Sequence, residues 1–112
     1  MLPKNGTLLR IFIGENDKHD GKPLYEWIVL EARKMGLAGA TVLRGLEGFG
    51  AHSRLHTAKI LRLSIDLPII IELVDTEEKI EAFLPVIDSA ITEGLATVEK
   101  VFIRFYRSGN DG

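Results

Sequence analysis

The feature that most constrains the fold is the order in which strand-like and helix-like hydrophobic patterns follow one another along the 112 residues. Strand patterns are predicted over 7–14, 40–44, 68–74 and 97–106, and apolar stripes at helical spacing over 23–35 and 76–92. This order is the split βαβ pattern, which folds as a four-stranded antiparallel sheet with both helices on one face. The sequence therefore predicts an α+β, ferredoxin-like βαββαβ fold. We expect one domain over residues 1–107 and a disordered tail over 108–112.

Local signals fix the predicted ends of the two helices. Gly36 fits the position after the first helix, where a left-handed residue commonly ends it. Asp75 followed by Glu78 resembles a capping box at the start of the second helix. Pro85 is expected to kink that helix, and Gly94 to end it.

Composition excludes several classes of function. The chain has no cysteine, which rules out disulfides, thiolate metal sites and cysteine nucleophiles. A net charge of −2 gives no general attraction to nucleic acid. Its apolar runs are too short for membrane insertion, and no signal peptide is recognisable, so a cytoplasmic location is expected. Ser53 and Ser64 lack a nucleophile elbow, and no Walker sequence occurs, so we predict that the chain is not an enzyme.

The predicted sheet has a second face that its own helices cannot cover. Apolar and charged side chains are both expected there: Phe12, Ile70, Val74, Phe102 and Tyr106 with Arg10, Glu72, Lys100 and Arg104. The alternatives are a solvated antiparallel face and a subunit interface with polar clefts, and the interface accounts better for the apolar part.

The connection between the second and third strands is far longer than a hairpin needs. It opens with three glycines, Gly45, Gly48 and Gly50, and continues with five basic or imidazole side chains: His52, Arg54, His56, Lys59 and Arg62. Glycines let a backbone approach a ligand closely, and cations beside such a turn favour phosphate. The same composition also fits a flexible, solvated basic loop, and the residues alone leave both interpretations open.

Several motifs together resemble a known family. They are residues 14–17 with 21–26, Arg44-Gly45 with Gly48-Phe49-Gly50, His56, residues 63–64 with 66–68, and residues 71–72 with 74–75. These stretches resemble the PII-like group called domain of unknown function 190, which is related to the PII signalling proteins. The resemblance covers nearly the whole chain.

That resemblance implies a homotrimer with ligand clefts between subunits and an adenine nucleotide as ligand. It implies that Gly48, Phe49 and Gly50 line the nucleotide and that Arg104 contacts phosphate. The signature of glycines and basic residues that PII proteins carry before their last strand is absent around Gly94. AMP or ADP is therefore expected rather than a triphosphate with 2-oxoglutarate, and no further cofactor is required.

The mechanism predicted from these residues is that of a sensor. The backbone N–H groups of Gly48–Gly50 and the guanidinium of Arg104 would hold phosphate oxygens, and Arg54 or His56 would close over them. Gly45 is also expected at the nucleotide site. Binding would then switch a mobile loop, about residues 45–62, that contacts a regulated protein, for which a membrane transporter is one candidate. The alternative function is a CutA-like module that binds a divalent metal through His52 and His56, which are four residues apart.

Overall fold

The computed structural model describes residues 4–48, 56–57 and 66–109, without the side chains of 56 and 57. In chain order its elements are β1 (Asn5–Gly14), β2 (Lys18–His19), β3 (Lys22–Pro23), α1 (Leu24–Lys34), β4 (Thr41–Arg44), β5 (Glu47–Gly48), β6 (His56–Thr57), β7 (Pro68–Asp75), α2 (Glu77–Asp88) and β8 (Leu95–Phe102). The main sheet has the antiparallel order β4-β7-β1-β8. This confirms the predicted α+β fold; of the predicted tail, residues 110–112 lie outside the described part.

The core lies between the two helices and the central strands. Leu9, Ile11 and Ile71 on the sheet, and Ile28 and Phe83 on the helices, are fully buried. The alternation of β1 and β7 places every second residue on this helix-covered face. None of the helices within the described stretches is long and apolar enough to span a membrane.

The end of α1 agrees with the sequence prediction. Gly36 has a φ of +77°, and its N–H donates to the carbonyl of Arg33. The N–H of Leu37 donates to the carbonyl of Ala32, which completes a Schellman motif. Glycine is required here because a side chain disfavours the left-handed backbone.

The two ends of α2 differ from the prediction. The helix is capped by Thr76, whose Oγ1 accepts the N–H of Lys79, and not by Asp75. It ends at Asp88 and not near residue 92. The chain must return to the sheet edge by Leu95, which leaves no room for another helical turn. Gly94 instead lies beside β1, where a Cβ would lie 2.7 Å from the carbonyl oxygen of Phe12.

The last strand was predicted with the wrong bounds and the wrong face. It covers Leu95–Phe102, and the pairs Leu9–Val98 and Leu8–Glu99 put even-numbered residues on the helix side. Lys100 and Phe102 therefore do not lie on the open face, which carries Glu99 and Val101. The prediction failed because both sides of this strand carry apolar residues, so alternation alone could not assign its faces.

Candidate functional site

The open face of the sheet carries an ion-pair group at its centre. Arg10 lies directly opposite Glu72 on β7, and its Nε is 2.8 Å from Glu72 Oε2. On the other side its Nη1 lies 3.5 Å from Glu99 Oε1. One guanidinium thus lies between two carboxylates, each still partly in contact with solvent.

Strand β8 is the least covered element of the sheet. Seven of its eight residues are exposed. Its apolar side chains are exposed on both faces: Leu95 by 57%, Val98 by 46% and Phe102 by 70%. The strand is also at the sheet edge, so one side of its backbone pairs with no strand of the described chain. An apolar edge strand of this length is a common site of association.

After β8 the chain bends across the open face and forms a cleft. The N–H of Ile103 donates to the carbonyl of Lys4, and the hydroxyl of Tyr106 donates to the carbonyl of Ala38 at 2.9 Å. A Cβ on Gly6 would lie 2.5 Å from Ile103 Cδ1, so glycine permits this close crossing. The cleft has a volume of about 650 Å³ and is lined by Arg104 among others. The structure thus puts Arg104 on the open face, as expected, although it lies beyond the strand.

We call residues 45–50 the glycine turn; it begins directly after Arg44, at the end of β4 opposite to the cleft lined by Arg104. Gly45 donates its N–H to the carbonyl of Pro68 at 2.7 Å, so this N–H is already used within the chain. A Cβ on Gly45 would lie 2.7 Å from the Pro68 ring, and one on Gly48 would lie 3.3 Å from it. Gly48 pairs with His56 across the short β5–β6 ladder. Two of the predicted site residues, Gly48 and His56, are thereby adjacent on the backbone.

The chain on both sides of residues 46–65 is bonded to one short turn, residues 14–17. The Nη2 of Arg44 lies 2.5 Å from Glu15 Oε2. On the other side, the N–H of Asn16 donates to Asp66 Oδ1 at 2.7 Å, and that of Glu15 donates to the carbonyl of Leu67 at 2.8 Å. We call residues 14–17 the hub turn, because it contacts the chain before and after the glycine turn.

The hub turn is in an acidic environment. Burial raises the pKa of the Asp17 carboxyl above its ordinary value, against the hydrogen bond that it accepts from Gly14. The carboxylates of Asp66 and Glu93 raise the pKa of Asp17 further. These carboxylates and Glu15 surround the end of the sheet from which the glycine turn begins.

The structure therefore brings some predicted residues together and separates others. Gly45 and Gly48 lie at one end of β4, with the backbone of His56. Arg104 lines a cleft beside Thr41 at the other end, and four strand residues correspond to about 13 Å. Phe49, Gly50, His52 and Arg54 lie outside the described residues, as does the side chain of His56. Sequence reasoning missed Arg10, Glu72 and Glu15 as partners, since long-range ion pairs leave no local pattern.

A metal site finds no support in the described residues. Within the stretches that the structure describes, no three His, Asp or Glu side chains are grouped so that they could hold a metal ion. The predicted pair His52 and His56 is not covered by that search, so the metal-binding alternative stays a prediction.

Comparison with known proteins identifies relatives over most of the chain. The DUF190 family, described as "Uncharacterized ACR, COG1993", matches residues 6–103. A UPF0166 protein of Aquifex aeolicus is 40% identical over 94 residues, which cover 84% of this chain and 89% of the relative. A UPF0166 protein of Methanocaldococcus jannaschii is 41% identical over 78 residues, covering 70% and 71%.

Solved structures share the fold at low sequence identity. One is CPII of Thiomonas intermedia, a nitrogen regulatory PII-like protein bound to ADP, AMP and bicarbonate (TM-score 0.65, 18% identity, 88% of this chain and 94% of that one). Another is a PII-like signalling protein of Thermus thermophilus (TM-score 0.64, 20% identity, 92% and 93%). The described sheet and helices therefore have the PII-like arrangement. With the family match extending over nearly all of its length, the chain belongs to the DUF190 family, domain of unknown function 190.

Proposed function

We propose that this protein is a PII-like sensor that binds an adenine nucleotide, AMP or ADP, in clefts between identical subunits and thereby regulates a partner protein. The observation that carries the proposal is the PII-like fold, which this chain shares with a protein bound to ADP and AMP.

The glycine turn supports the phosphate-binding end of the site. Gly45 and Gly48 lack side chains, so the Pro68 ring packs closely against both and holds the start of the turn in place. Because the N–H of Gly45 donates to the carbonyl of Pro68, we assign Gly45 the role of fixing the start of the turn and not of donating a hydrogen bond to the ligand. In the proposal, Gly48, Phe49 and Gly50 provide the N–H donors, and Arg54 or His56 covers the phosphate.

Arg104 enters the proposed site from a neighbouring subunit. Within one chain Arg104 lines a cleft at the Thr41 end of β4, whereas the glycine turn follows the other end of that strand. Two copies that meet through their open faces and β8 edges could bring one subunit's Arg104 to the next subunit's glycine turn. A closed ring of three, a homotrimer, repeats this contact three times.

The regulatory part of the proposal concerns residues 45–62. Nucleotide binding changes the conformation of this segment, and the regulated protein, for which a membrane transporter is one candidate, binds one of its states. The hub turn supports such coupling, because it holds the chain on both sides of the glycine turn. In this proposal the protein is a regulator and catalyses no reaction.

Calorimetry with AMP, ADP and ATP at physiological salt tests the ligand, and light scattering tests the assembly. We expect binding of AMP or ADP and a solution mass of three chains. Absence of heat with all three nucleotides would eliminate the nucleotide, whereas a single-chain mass would eliminate the site between subunits. Metal analysis of the same sample tests the alternative, since a chain that carries zinc or copper and no nucleotide would favour the CutA-like module.

A further inference from the structure

The ion pair between Arg44 and Glu15 is placed where it can take part in anion binding. Arg44 immediately precedes Gly45, whose backbone is fixed by its hydrogen bond to Pro68. Its side chain is 61% exposed, and one contact, from Nη2, joins it to Glu15. A guanidinium has five N–H donors, so most of them remain available to a second anion.

The Arg44–Glu15 ion pair crosses β7, which lies between β4 and β1 in the sheet. Arg44 ends β4 and Glu15 follows β1, with β7 between them, so the two backbones are two strand spacings, about 9.6 Å, apart. The position of Glu15 is fixed by its own N–H, which donates to the carbonyl of Leu67. The Arg44 side chain thus crosses the start of β7, where Arg44 pairs with Ile69.

The negative charge around this pair favours a role for Arg44 in anion binding. Glu15, Asp17, Asp66 and Glu93 together place four carboxylates at this end of the sheet. A phosphate that approached the glycine turn without a cation would be repelled by them. Arg44 is the guanidinium that the structure places among these carboxylates.

We propose that Arg44 is a phosphate-binding residue of the glycine-turn site and that Glu15 competes with the ligand for its guanidinium. This inference rests on the proposed function for the place of the ligand, and it adds two residues that determine affinity. A phosphate group offers Arg44 bidentate, charge-assisted hydrogen bonds, which are stronger than its single contact with Glu15. Ligand binding therefore weakens the contact between Arg44 and the hub turn.

A double-mutant cycle measures the competition, with pyrophosphate and ADP as probes in calorimetry. Glu15→Gln should raise affinity about 1.5- to 5-fold, because exposed ion pairs are worth that much. Arg44→Gln should lower affinity roughly tenfold. The matched control is Glu93→Gln, which removes a carboxylate from the same acidic environment without touching the ion pair. In the Arg44→Gln background, the gain from Glu15→Gln should fall to that of the control.

The outcomes separate this inference from the proposed function. If wild-type protein binds ADP but the effect of Glu15→Gln is the same with and without Arg44, Glu15 acts only through its charge and the inference is wrong. If pyrophosphate shows the coupling but AMP and ADP do not bind, the inference stands and the nucleotide is wrong. If neither probe binds the wild-type protein, both are wrong.

Discussion

Replacing the buried carboxylate of Asp75 should strongly destabilise the fold at the edge of the open-face cleft. Asp75 is 1% exposed, and its two oxygens accept backbone N–H groups from Ala38 at 2.8 Å and Thr76 at 2.7 Å. These bonds hold the connection between α1 and β4 against the start of α2. The carbonyl of Ala38 in turn accepts a hydrogen bond from the hydroxyl of Tyr106. The wall of the cleft therefore depends on Asp75 as well, because Asp75 holds Ala38.

The magnitude follows from the number of donors that would lose their partner. Asp75→Ala leaves two N–H groups without an acceptor, at about 1–3 kcal/mol each when fully buried. Ala38 and Thr76 are only half-buried, so water relieves part of this cost and we expect a loss of about 2–3 kcal/mol. Asp75→Asn keeps one acceptor oxygen and should lose about half as much. Such losses are a large share of the stability of a small domain.

Urea denaturation followed by the fluorescence of Trp27, the single tryptophan, measures the effect. Protein concentration must be equal for all variants, because association would add to the apparent stability. The control is Asp88→Ala, an exposed carboxylate at the end of α2, whose removal should change stability by less than about 0.5 kcal/mol. If Asp75→Ala also changes the free energy of unfolding by less than about 0.5 kcal/mol, the two hydrogen bonds do not stabilise the fold as argued.

Three further predictions concern the site and its surroundings. Arg104→Ala should weaken nucleotide binding by about 1.5–3 kcal/mol in calorimetry if it makes a charge-assisted contact, and an unchanged affinity would contradict its assignment. Gly45→Ala should cost about 1–3 kcal/mol in urea denaturation, since its Cβ would lie 2.7 Å from Pro68, whereas a Cβ on the control Gly39 meets nothing within 4 Å. The raised pKa of Asp17 means that the folded chain holds this proton more tightly than the unfolded chain, so the contribution of Asp17 to stability falls as pH rises through its folded-state pKa. The stability of Asp17→Asn relative to wild type should therefore rise with pH from the ordinary carboxyl pKa through the raised folded-state pKa of Asp17, and a relative stability that falls with pH would show that the sign is wrong.

Sequence patterns predicted the elements better than their ends and faces. The central strands were assigned correctly because β1 alternates strictly and β7 is almost continuously apolar. The face of β8 could not be assigned, because a strand that no helix covers has no buried side to set the pattern. The cap of α2 was misassigned because Asp75, one residue before the true cap, is also a residue type that commonly caps helices. Its carboxylate instead accepts a hydrogen bond from the N–H of Ala38.

The candidate site was less predictable than the fold for a different reason. Gly45 and Gly48 could be singled out from the sequence, because the close packing of Pro68 against the backbone requires glycine at these positions. The contacts of the hub turn could not be predicted from the sequence, since Asn16 and Asp66 are 50 residues apart and are joined by a single hydrogen bond from a backbone N–H. Contacts of this kind depend on which strands are neighbours, and that information exists only after the sheet has formed.

The strength of the Arg44–Glu15 contact limits what the proposed sensor can report from one subunit. A ligand can shift an equilibrium only by the difference in its interaction free energy with the two states. If that difference is one exposed ion pair, about 0.2–1 kcal/mol, the shift is about 1.5- to 5-fold, too small for a clear response. Three subunits that change together would multiply the factors, to roughly 100-fold at the upper limit. On this argument, a sensor built on so weak a contact would need several copies to act in concert, which would connect the open face of the sheet with the proposed regulatory role.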